Sequence, residues 1–154
     1  MALFSLFGKK PFFTEEENER IVTAIRNAEQ RTSGEIRLYL EAKNPYVNPI
    51  DRAREIFAQL KMHETEHHNG VLLYIAHKHH EVALFGDAGI YEKAGAAFWD
   101  AEVRKMIANF GKNQLTEGII QCITDVGETL YQAFPYLAAE DKNELPDDIV
   151  FGKF

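Results

Sequence analysis

Apolar residues recur along this chain in two periods, and the switches between them mark out the elements. Ile21, Val22, Ala24, Ile25 and Ala28 share one face at helical spacing. Thr14 followed by Glu15-Glu16-Glu17 is a capping box, and Phe13 stands at the staple position, so the spacing predicts a first helix from Thr14 to Arg31. Ser33-Gly34 breaks it. From Glu35 to Leu40 the pattern alternates, with Ile36, Leu38 and Leu40 on one face and Glu35 and Arg37 on the other, as a half-buried strand requires. The loop from Asn44 to Pro49 leads to a second helix, with Asn48 as cap, Pro49 at its first position and Asp51 in its first turn. Ala53, Ile56, Phe57 and Leu60 give that helix a sheet-packing face. The runs Val71 to Ala76 and Glu81 to Phe85 read as a hairpin with a polar tip. After Gly86-Asp87-Ala88-Gly89-Ile90 the helical period returns. Ala94, Ala97, Phe98 and Trp99 open one helical unit, which Val103, Met106, Ile107 and Phe110 continue to Gly111. Leu115, Ile119, Ile120, Ile123, Val126, Leu130 and Phe134 form the last long helix, ending at Pro135. Such an order predicts an α/β fold, a mixed sheet covered on both faces.

The 154 residues fit one domain with a full core. Twenty-four acidic and 17 basic side chains leave a formal charge of −7, and the basic residues are scattered. That pattern argues against nucleic acid, which needs a concentrated basic face. A single cysteine, Cys122, sits among Ile119, Ile120 and Ile123 and reads as a packed thiol. No apolar run is long enough to cross a bilayer, and Lys9-Lys10 follows rather than precedes the apolar start, unlike an export signal. The expected compartment is the cytoplasm. The chain divides into an apolar arm over residues 1–12, a domain over 13–136 and an acidic tail over 137–154, whose last residues are expected to clamp back on the body. In the arm and at its junction, Phe4, Phe7, Phe12 and Phe13 are expected to pack on the domain; weak membrane contact and self-association are the other uses of the same apolar surface.

The stretch His63 to Leu73 matches HExxHxxG and then places Leu73 where a third zinc ligand would stand. The apolar phase of the preceding helix fades after Leu60, and Asn69-Gly70 reads as a turn, so His63 and His67 fall on a frayed end rather than on a rigid helix. All six histidines lie between His63 and His80. A solvated, histidine-rich rim is the plain reading, and a zinc hydrolase is the least favoured of three functional readings.

The chain resembles the TPM domain family, named for thylakoid lumen, photosystem repair and membrane modulator proteins. The likeness is carried by Ala28-Glu29-x-x-Thr32-Ser33-Gly34-Glu35-Ile36, by Asn69-Gly70-Val71-Leu72-Leu73-Tyr74-Ile75-Ala76, and by Phe85-Gly86-Asp87-Ala88-Gly89-Ile90. Phe98-Trp99, Phe110, Glu117-Gly118-Ile119 and Phe134-Pro135 complete it. The resemblance implies a three-layer α/β/α sandwich, Rossmann-like without a dinucleotide fingerprint, in the short soluble bacterial form. It also implies the acid phosphatase activity and divalent-cation binding of some members.

Asp87 sits between Gly86 and Gly89, after a strand and before helical sequence. A carboxylate there either binds a hard cation such as Ca2+ or Mg2+ or caps the next helix. Glu35 and Glu117 are the carboxylates expected to join it in a metal site; their plain readings are an exposed strand end and a first-turn helix charge. Phe98 and Trp99 read as packing residues. No phosphatase nucleophile motif accompanies these carboxylates. The first reading is therefore an accessory or protein-interaction domain, with an unidentified protein partner and a capacity for divalent cations. The alternative is a weak metal-dependent phosphatase acting on phosphomonoesters.

Overall fold

The computed structural model describes residues 12–46, 48–111, 114–136 and 148–152. Helix α1 (Glu15–Glu29) opens with the reciprocal cap read from the sequence: Glu17 N donates to Thr14 Oγ1 and Thr14 N to Glu17 Oε1, each at 3.0 Å. Strand β1 (Glu35–Glu41) follows, then α2 (Pro49–Gln59), with Asn48 Oδ1 accepting from Ile50 N. Strands β2 (Gly70–Ala76) and β3 (Glu81–Gly86) form the hairpin. Instead of the single helical unit expected after Ile90 there are two helices, α3 (Ala88–Ala94) and α4 (Ala96–Gly111), separated at Gly95 with φ 85°. Helix α5 (Leu115–Ala133) closes the helical set.

Among the described residues the sheet runs in the order β3-β2-β1-β4, with β1 parallel to β2 and to β4 and β3 antiparallel to β2. Strand β4 (Val150–Phe151) is the carboxy-terminal clamp: Tyr39 faces Val150, and Gly152 N donates to Leu40 O at 2.7 Å. Every residue of β2 is buried, as expected for an unbroken apolar strand between two neighbours and two helical layers.

Side-chain alternation divides the core in two. Ile36, Leu38 and Leu40 of β1, with Val71, Leu73 and Ile75 of β2, pack under α1, α4 and α5 through Ile21, Ile25, Met106, Ile119 and Ile123. On the other face Leu72, Tyr74 and Ala83 meet Ala53, Ile56 and Phe57 of α2. The fold is thus an α/β/α sandwich. Cys122 is buried in the first of these cores, and burial pushes its thiol well above the ordinary range.

The turn between α1 and β1 is locked onto the end of α5. Ser33 N donates to Phe134 O at 3.0 Å, Thr32 Oγ1 bonds Leu130 O and Phe134 O, and Thr32 bridges Pro135. At the amino terminus Phe13 is buried, edge-on to Phe12 and against Phe151, while the Phe12 ring lies 4.4 Å from that of His77. Phe4 and Phe7 lie outside the described residues, as does most of the acidic tail.

Candidate functional site

Because β3 runs antiparallel to β2, its carboxyl end lies at the amino ends of β1 and β2, and this fixes where Asp87 sits. Ligands in open α/β sheets collect at the carboxyl ends of parallel strands, which here are Glu41 and Ala76, at the far end of the sheet from Asp87. Asp87 caps α3: Oδ1 accepts from Ala88 N at 2.8 Å, and Oδ2 lies 3.3 Å from His68 Nδ1. Its backbone N donates to Gly70 O at 3.0 Å. Glu35, paired with Gly70 in register, reaches the same end of the sheet. It is 2% exposed, which corrects the expectation of an exposed strand end: its backbone N donates to Asn69 O at 3.3 Å, so the loop before β2 lies against it.

The glycines flanking Asp87 do not leave room for a ligand. A Cβ on Gly86 would stand 2.4 Å from the Trp99 indole, and one on Gly89 would stand 2.4 Å from His67 O. Both are sites of close packing within the chain.

Glu117 lies elsewhere. It is in the first turn of α5, exposed and paired with Arg20 at 2.7 Å, whereas the other end of α5 is the one that meets Ser33 beside Glu35. Nineteen helical residues separate those ends by about 28 Å. The structure therefore brings Glu35 and Asp87 to one end of the sheet and leaves Glu117 at the other.

The histidine group of the sequence is divided by β2 in the same way. His63, His67 and His68 lie before the strand and His77, His79 and His80 after it, about 23 Å apart along seven extended residues. The HExxH segment is not helical: Met62–Glu64 is one 3-10 turn between left-handed Lys61 and extended Thr65. His63 and His67 therefore lack the one-turn relation a zinc pair requires. His80 stacks on Phe110, His79 Nδ1 accepts from Asn44 N, and burial lowers the His77 pKa. Among the described residues no three His, Cys, Asp or Glu side chains gather where they could hold a metal ion.

Two polar clusters were missed in the sequence. At the carboxyl end of β1, Glu41 accepts from Arg52 Nε at 2.8 Å, from Arg52 Nη2 at 2.9 Å and from the Tyr74 hydroxyl at 2.5 Å. Arg52 also bonds Glu55, which in turn takes the Tyr46 hydroxyl. The arginine is held charged by its bonds to Glu41, and burial followed by the bond to Glu41 raises the Tyr74 pKa. Both Glu41 oxygens are engaged, so this cluster ties α2 to the sheet. Its sequence signal was the polar alternation Glu35, Arg37, Tyr39, Glu41 on a face that α2 covers.

The second cluster joins α4 and α5. Glu102 has a side chain only 4% exposed, and Lys105 Nζ reaches its Oε2 at 3.0 Å and Asp125 Oδ2 at 3.3 Å. Burial, reinforced by Asp125, pushes the Glu102 carboxyl up to about 7 against the attraction of Lys105.

A groove of about 1040 Å3 runs along β3, one of the two edge strands among the described residues, between α2 on one side and α3 and α4 on the other. Val82 and Leu84 form its floor, Ile50 and Arg54 one wall, and Val103 and Ile107 the other. Tyr91 and Ile107 on its rim are 46% and 47% exposed.

A model of the TPM domain matches residues 9–129. The chain belongs to the TPM domain family. The solution structure of BA42 from the psychrophilic bacterium Bizionia argentinensis is similar at 37% identity, covering 93% of this chain and 97% of that one, with a TM-score of 0.84. The amino-terminal domain of cg2496 from Corynebacterium glutamicum shares the fold at 12% identity, over 77% and 74% of the two chains, with a TM-score of 0.62. No curated protein sequence matches the chain. Among the described residues no helix of this TPM domain is long and apolar enough to cross a membrane.

Proposed function

We propose that this TPM domain is a protein-interaction module whose working surface is the groove along β3. The observation that carries the reading is the groove itself: part-exposed Ile50, Phe85 and Val103 on its walls and exposed Tyr91 and Ile107 on its rim, apolar groups that mark contact surfaces when they cluster. The carboxylate, arginine and tyrosine groups beneath α2, by contrast, are bonded to one another. Affinity purification of the full chain from cells that express it, run beside Ile107→Glu, tests the proposal. A partner recovered with the wild-type chain and depleted at least tenfold with the variant supports it. Equal recovery with both rejects it.

A second reading is hydrolysis of phosphomonoesters, favoured by one feature: Asp87 lies 3.3 Å from His68 and shares its end of the sheet with Glu35, which in this reading would be the second carboxylate toward a divalent cation. Asp87→Asn is the informative change, because asparagine also caps a helix and the fold is retained. Turnover of a generic phosphomonoester with magnesium, calcium or manganese, abolished in Asp87→Asn, would establish it. Activity that survives the change would place the chemistry outside this pair.

A further inference from the structure

Edge strands expose unpaired backbone groups, and proteins ordinarily blunt them with lysine, proline or a bulge. Strand β3 uses none of these. Its sequence from Glu81 to Gly86 has no lysine or proline, and its register against β2 is unbroken over all six pairs. Protection comes from recess: Val82, Ala83 and Leu84 are 3–5% exposed because α2 and α4 rise on either side.

The backbone direction along this edge follows from the ladder. Asp87 N donates to Gly70 O, and Asp87 continues the register in which Gly86 faces Val71. Bonded pairs alternate in an antiparallel ladder, so Phe85, Ala83 and Glu81 turn their N–H and C=O groups toward β2. Val82, Leu84 and Gly86 turn theirs toward the groove.

We propose, resting on the interaction reading above, that the groove takes an extended segment of a partner protein as an added strand on β3. The ladder groups of Val82, Leu84 and Gly86 would bind its backbone, and the two walls would receive its alternate side chains. Those facing α4 meet Val103 and Ile107 and are apolar; those facing α2 meet Ile50 and the Phe85 ring, over which Arg54 lies. At the Gly86 end, where Trp99 packs, the groove is rimmed by Asp87, Glu92 and Asp100; of its two arginines, Arg54 is already paired with Asp51 and Arg104 stands about one helical turn past Asp100, toward Ile107. A lysine or arginine at that end of the segment is therefore favoured. A second copy does not fit the same edge, because two strands each sunk between their own helices cannot approach to ladder distance.

The test begins with random twelve-residue peptides displayed on phage, selected on the immobilised full chain and then synthesised. Amide hydrogen exchange of the full chain with a selected peptide should show at least tenfold added protection at Val82, Leu84 and Gly86. Ala83 and Phe85, already bonded to β2, should change little. Ile107→Glu should weaken binding at least tenfold, and N-methylation of alternate peptide amides should abolish it in one phase only. A peptide whose binding is blocked by Ile107→Glu without alternating protection on β3 would overturn the added strand while leaving the groove as the interaction surface. Failure to select any peptide, alongside partner capture that Ile107→Glu abolishes, would do the same. Peptide binding unaffected by Ile107→Glu would overturn both proposals. Concentration-dependent dimerisation that protects Val82 and Leu84 would make a second copy the occupant and reject the partner segment.

Discussion

Glu102→Gln isolates one buried charge between α4 and α5. The Glu102 carboxyl is raised from 4.5 to about 7, burial being the first cause, with Asp125 adding to it and Lys105 opposing it. Burial first, with Glu102 and Asp125 adding to it, pushes the neighbouring Cys122 thiol well above its ordinary range, so it stays protonated across the range tested. A carboxyl raised in the folded state binds its proton more tightly there than in the unfolded chain. Its contribution to stability is therefore fully present below pH 4.5 and is lost as the pH rises through about 7. At 1.36 kcal/mol per unit, the shift corresponds to roughly 3 kcal/mol between those limits. Glutamine keeps the size and cannot ionise, so the variant lacks this loss. Urea unfolding of both proteins at pH 5, 6, 7 and 8 gives the stability difference, in which the titrating histidines cancel. The variant should gain on the wild type as pH rises, by about 2 to 3 kcal/mol between pH 5 and 8. A difference that stays constant across that range would refute the assignment of a raised pKa to the Glu102 carboxyl.

Tyr74→Phe removes the hydroxyl that bonds Glu41 at 2.5 Å and should cost about 1.5 to 3 kcal/mol in urea unfolding at pH 7. Arg52→Met should cost more, about 3 to 5 kcal/mol, because it leaves the buried Glu41 carboxylate without its cation. Coupling near zero in the double-mutant cycle would show that the two act separately. Gly86→Ala places a methyl 2.4 Å from the Trp99 ring and should destabilise by about 1 to 3 kcal/mol with a shift in tryptophan emission; an unchanged spectrum and stability would contradict the close packing described here.

What the sequence determined by itself was the local structure. The Thr14 and Asn48 caps, the alternation of β1 and the unbroken apolar run of β2 are properties of neighbours in the chain, and backbone geometry and helix-end chemistry act at that range. The two-sided α/β sandwich followed from their order. The break at Gly95 escaped because Ala94, Ala97 and Phe98 keep one helical phase across it.

Only the tertiary structure decided which chemical groups meet. The six histidines are close in sequence, yet a seven-residue strand holds them in two groups at opposite ends of the sheet. Glu41, Arg52 and Tyr74 come from three elements and meet because α2 crosses the sheet above the end of β1. Asp87 follows a strand, as the sequence shows, but the reversed direction of β3 places it at the amino ends of the parallel pair. Strand direction and sheet order are set by the burial of whole faces against one another, and that long-range free energy leaves no mark on the spacing of residues along the chain.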